Sequence, residues 1–97
     1  MTFDEFEAIC NEAQPPTNLS GPLAALFWDA RGEWDKAHAA AQAIASPQGS
    51  LIHAYLHRKE GDQGNARYWY DRAGRAVFRG TLEEEWRAIA TELCARS

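Results

Sequence analysis

Trp28-Asp29-Ala30-Arg31-Gly32-Glu33-Trp34-Asp35-Lys36-Ala37 lies over His57-Arg58-Lys59-Glu60-Gly61-Asp62-Gln63-Gly64-Asn65-Ala66 without a gap, at an offset of 29 residues. Gly32 matches Gly61, Glu33 matches Asp62 and Ala37 matches Ala66. Each copy reads as the end of one helix, a glycine turn, an acidic residue and a second helix with a small residue where the two cross. An acid fits there because the free amides and the dipole of a helix start favour negative charge. Further upstream the small residues Ala25 and Ala54 also match, and so do the bulky positions Trp28 and His57. The chain thus carries two copies of one helical hairpin.

Outward from the repeat, the flanks read as helices too. Thr2-Phe3-Asp4-Glu5 has the form of a capping box, followed by Phe3, Phe6, Ile9 and Cys10 on one stripe. Pro15-Pro16 is expected to end that helix, because proline offers no amide donor and clashes with the preceding turn. Ser20-Gly21-Pro22 opens a second helix that runs to Gly32, and an alanine-rich third helix starts near Trp34 and breaks at Pro47-Gln48-Gly49. A fourth covers about Ser50 to Glu60, and a fifth, capped by Asp62, ends at Gly74. A second capping box, Thr81-Leu82-Glu83-Glu84, starts the last helix, where Leu82, Trp86, Ile89, Leu93 and Cys94 form a stripe. The expectation is an all-α domain spanning 1–97: an N-terminal helix in 1–14, two hairpins in 19–74 and a capping helix in 81–97.

Composition bounds the function. Hydrophobic residues make up 45% of the 97 and charged ones 25%, which suits a globular chain rather than a disordered one. The net charge of −4 divides into −5 for residues 1–52, +3 for 53–79 and −2 for 80–97. An acidic total argues against nucleic acid and anionic membrane as partners, while the basic middle suits an acidic one. The start MTFDEFEAIC has no basic or apolar run of the kind a signal peptide needs, so a cytoplasmic location is expected. Cys10 and Cys94 fall on apolar stripes and read as buried thiols, although a bridge between them is open if the terminal helices touch.

The repeat resembles the tetratricopeptide-repeat (TPR) superfamily. The second unit supplies the Gly-Asp turn at Gly61-Asp62 and the family's small, bulky and alanine positions at Ala66, Tyr70 and Ala73. The first supplies Gly32-Glu33, Ala37, Ala41 and Ile44, with its bulky position weakened. His53 to Asp62, followed by Asn65 to Tyr70, also looks like a small bacterial TPR-like family of unknown role. The units are shorter than the usual repeat, and there are two where stacked repeats generally need about three, so the terminal helices look like caps. The resemblance implies two antiparallel hairpins and a noncatalytic module that binds a protein or peptide on the face of each unit's first helix. That face would present Leu26 and Asp29, then Leu51, Tyr55, Arg58 and Lys59.

Residue chemistry adds two candidates. Tyr55, Arg58 and Lys59 share a helix face, and Arg58 can grip a carboxylate through two parallel hydrogen bonds. The expected partner therefore carries Asp, Glu or a free C-terminus, and Tyr68 is a further exposed contact. His53 and His57 sit one turn apart with Glu60 beyond them. They read first as packed residues, hydrogen-bonded to Glu60, Asn65 or backbone and holding no metal. The alternative is a metal or acid–base site, with His38 as a third ligand. Nucleophile triads, phosphate loops and dinucleotide fingerprints do not occur, so no enzyme activity and no cofactor are expected. Oligomeric state stays open between monomer and homodimer.

Overall fold

The computed structural model describes residues 1–96. They form six helices and, among the described residues, no strand: α1 (Phe3–Ile9), α2 (Gly21–Ala30), α3 (Trp34–Gln42), α4 (Pro47–Lys59), α5 (Gln63–Ala73) and α6 (Leu82–Arg96). Helices α2 and α3 form one antiparallel hairpin, α4 and α5 the other, and α3 packs on α4 to join them. No helix of the described residues is long and apolar enough to cross a membrane.

The 29-residue repeat is visible in the turns. Gly32 and Gly61 both take positive φ, 77° and 89°, which a residue with a Cβ resists. In the first hairpin the Glu33 amide donates to the Trp28 carbonyl and the Gly32 amide to that of Asp29, both at 2.9 Å. In the second, Asp62 donates to His57 at 2.9 Å and Gly61 to Arg58 at 3.1 Å. These are the paired bonds of a glycine-terminated helix end. The copies differ one residue later. The Asp62 side chain caps α5 by accepting from the Asn65 amide at 3.1 Å, whereas Glu33 makes no cap and instead pairs with Lys36 at 3.1 Å. A glutamate arm is one carbon too long for the short loop back to the backbone that aspartate makes.

Both capping boxes form. Thr2 accepts from the Glu5 amide at 3.1 Å, and Thr81 from the Glu84 amide at 3.0 Å. Three boundaries depart from expectation. α1 ends at Ile9, well before Pro15, and leads into turns. α3 ends at Gln42, so Ile44 lies outside the helix. Pro47 begins α4 after an extended Ser46 rather than ending α3, because proline's missing amide is harmless at a helix start. Gly49 is consequently helical, and it is there for closeness: a Cβ would sit 2.5 Å from the Ile44 carbonyl oxygen.

Helix α4 is the axis of the molecule. Every residue from Leu51 to His57 is buried, so its middle two turns are enclosed on all sides. α6 closes the side that α3 and α5 leave, packing on α1, α2 and α4. Trp86 stacks on Phe6 with centroids 5.7 Å apart and donates its indole N–H to the Leu26 carbonyl at 3.2 Å. Ile89, Ala90, Leu93 and Cys94 complete the seam. α1 and α6 do touch, yet Cys10 and Cys94 are free thiols, with Cys10 held at a pKa of about 11, first by burial and then by Glu7.

Candidate functional site

The residues expected on an open groove are largely consumed inside the fold. Leu26, Leu51 and Tyr55 are buried, and Asp29 is only 4% exposed. Asp29 accepts from the Tyr55 hydroxyl at 2.7 Å and pairs with Lys59 at 2.9 Å, tying α2 to α4. Burial, followed by the charge and hydrogen bond of Asp29, pushes the Tyr55 hydroxyl far above its ordinary pKa, so it stays a donor. Arg58 is taken as well. It donates to Glu85 of α6 at 2.8 Å and to the Gly80 carbonyl, and Glu85 also accepts from the Tyr70 hydroxyl. That carboxylate is 1% exposed.

The acidic group that Arg58 grips belongs to this chain's own last helix. The expectation of an acidic partner rested on Arg58 and Lys59 being free, and both are engaged. Of the expected contact residues, Tyr68 is the most open, at 52%, with Arg72 across its ring, while Lys59 is exposed but paired with Asp29.

An open cleft nevertheless remains where α1, α2, α4 and α6 meet, with a volume of about 880 Å³. Asp29, Tyr55 and Lys59 line its inner wall, so three of the expected residues do come together there. Phe3, Leu82 and Trp86 give it an apolar surface, and Glu7, Glu83, Glu84 and Arg87 bring charge. Its carboxylates (Glu7, Asp29, Glu83, Glu84) outnumber its cations (Lys59, Arg87). Lys59 is matched by Asp29, and Arg87 lies 3.9 Å from Glu7, which leaves Glu83 and Glu84 as the surplus. Glu84 is held below its usual range by the Thr81 amide and hydroxyl.

The histidines form a second cluster, on the α3–α4–α5 side. They pack as expected. His53 stacks on Trp69 with centroids 4.0 Å apart, and His38 stacks on Trp34 at 4.8 Å. Trp69 is half-buried and packs against the core, whereas its chain neighbour Tyr70 is fully buried. His57 meets Glu60 through Nδ1 at 2.9 Å. His53 departs from expectation: at 4% exposure, neither ring nitrogen has a hydrogen-bond partner among the described residues. Ligand atoms of His38, His53 and His57 lie within 4.8 Å of one another, as do those of His57, Glu60 and Asp62. Either group has donors that a metal can use.

Sequence reasoning missed the part of α6. Glu83-Glu84-Glu85 reads as one acidic helix start, but Glu85 is one turn before Ile89 and so falls on the buried stripe. That register was the available signal. No protein-family model, curated protein or solved structure matches the chain.

Proposed function

We propose that the protein is a noncatalytic TPR-like docking module that receives an extended segment of a partner protein in the cleft between α1, α2, α4 and α6. The cleft itself carries the reading: an open apolar surface of Phe3, Leu82 and Trp86 beside uncompensated carboxylates. Two first helices of the repeat, α2 through Asp29 and Ala30 and α4 through Tyr55 and Lys59, form its wall, and that is the face which the TPR resemblance assigns to ligands. The carboxylate surplus turns the partner's charge around. A segment with Lys or Arg next to an apolar side chain fits: the cation meets Glu83 and Glu84, and the apolar residue covers Trp86.

A matched pair of peptides tests it, one with Arg and Leu at alternate positions and one with Glu in place of Arg. Titrated into isotopically labelled protein, the basic peptide is expected to move the amide signals of Phe3, Asp29, Leu82 and Trp86. The Glu7→Lys/Glu83→Lys variant, altered at two exposed positions, should lose the response. Shifts produced only by the acidic peptide, or by the basic peptide at residues remote from the cleft, would sink the proposal.

A further inference from the structure

The geometry points to a zinc-type metal site held by His38 of α3 and by His53 and His57 of α4, with Glu60 positioning His57. None of these residues lines the cleft, so this site and the docking reading stand or fall separately.

His53 is the first reason. A buried polar side chain ordinarily has its partners, and one that lacks them calls for an explanation. His53 is 4% exposed, with both nitrogens unpartnered among the described residues. What surrounds it is two more imidazoles, His38 at 4.6 Å and His57 at 5.7 Å between ring centroids. The rings of His38 and His53 cross at 80°, edge to face, and share no hydrogen bond. A cation that accepts three nitrogen lone pairs is the ligand to which such a cluster is complementary.

His57 is the second. Its Nδ1 lies 2.9 Å from Glu60 Oε1. With the carboxylate as acceptor, Nδ1 is the donor and Nε2 is the nitrogen a metal would use, the carboxylate–histidine pairing that orients metal ligands. The rings are also held from behind. Trp69 lies flat on His53 at 15° between planes, and Trp34 lies flat on His38 at 10°.

The fit needs a small closure. Tetrahedral zinc sets its nitrogen ligands about 3.3 Å apart, whereas here the nitrogens lie within 4.8 Å. His53 is buried in the central helix, so the movement falls to His38, which is half-buried and lies on α3 of the neighbouring hairpin together with the Trp34 that stacks on it. Three nitrogens leave one coordination position for water or for a donor from a bound molecule.

Zinc titrated into tag-free protein, followed by calorimetry, is expected to give one site per chain and a raised Tm. Cobalt in its place is expected to show the visible absorption of a tetrahedral site. His38→Ala, on the half-exposed rim and least costly to the fold, should abolish both signals with helical circular dichroism intact. Glu60→Ala should weaken binding by about tenfold to a hundredfold, the usual cost of losing a carboxylate behind a ligand. X-ray absorption of the zinc-loaded wild type gives a reading that depends on no variant and should find three imidazole nitrogens. Absence of zinc and cobalt binding by the wild-type protein, a zinc shell without imidazoles, or binding that survives His38→Ala in a folded protein would each overturn the site.

Discussion

At Gly49 one methyl group sets two effects against each other, and their sizes decide the outcome. Gly49 lies inside α4, where alanine is favoured over glycine by roughly 0.5–1 kcal/mol on backbone entropy alone. The added Cβ, however, would stand 2.5 Å from the Ile44 carbonyl oxygen and 2.8 Å from the Ile44 Cβ, and a backbone atom cannot swing aside as a flexible side chain does. Overpacking of this kind costs about 1–3 kcal/mol, so it wins. Gly49→Ala is expected to lower the urea midpoint of unfolding with the slope unchanged. A midpoint equal to or above that of the native chain would show that Ile44 gives way and that the turn before α4 is looser than the contact implies. The residue scale is also where sequence reasoning reaches least far. Pro47-Gln48-Gly49 has the composition of a breaker, and nothing local says that the proline starts a helix and the glycine lets two turns touch.

Among the elements, α6 decides most and was least readable. Its existence and apolar stripe follow from Thr81, Leu82, Trp86, Ile89 and Leu93, as do the glycine turns of the hairpins from Gly32 and Gly61. What it covers does not follow, because that depends on which face of α4 is left over once α3 and α5 have packed. The face of Tyr55, Arg58 and Lys59 looks open by helical spacing, yet α2 supplies Asp29 to it and α6 supplies Glu85. Long-range pairing of this kind leaves no mark in the local pattern. The Glu85 clamp has a measurable consequence. Glu85→Ala leaves the Arg58 guanidinium, 17% exposed, and the buried Tyr70 hydroxyl without their acceptor, and removal of one partner from a buried ion pair costs about 3–5 kcal/mol. Replacing both partners by apolar residues, as in Arg58→Met/Glu85→Leu, removes the unpaired charge along with the pair, so the double variant should be the more stable of the two. Urea melts of the single and double variants compare them directly. A double variant that loses as much as the Arg58→Met and Glu85→Leu single variants together would mean that Arg58 and Glu85 act independently, against the 2.8 Å bond between them.

On the scale of the whole molecule, two hairpins are too few to close a core by stacking, since helical repeats generally need about three units. Here α6, with α1 behind it, takes the place of the third. Trp86 sits on Phe6 and bonds the Leu26 carbonyl, Glu85 holds Arg58 and Tyr70, and Ile89, Ala90, Leu93 and Cys94 are buried in the seam. Each link reaches a different element, α1, α2, α4 or α5, so α6 joins the two hairpins into one cooperative body instead of decorating one end. Loss of α6 would leave Arg58 without Glu85 and bare the side of α4 on which α6 packs. A fragment of residues 1–80 is therefore expected to keep helical circular dichroism in part. It should also bind a hydrophobic dye and melt broadly, as chains do when secondary structure outlasts specific packing. A peptide of residues 81–97 added in trans should restore a sharp melt. If the fragment alone unfolds in a steep cooperative transition, the hairpins are autonomous, α6 is an accessory, and its seat on α4 becomes a surface that an outside helix can occupy.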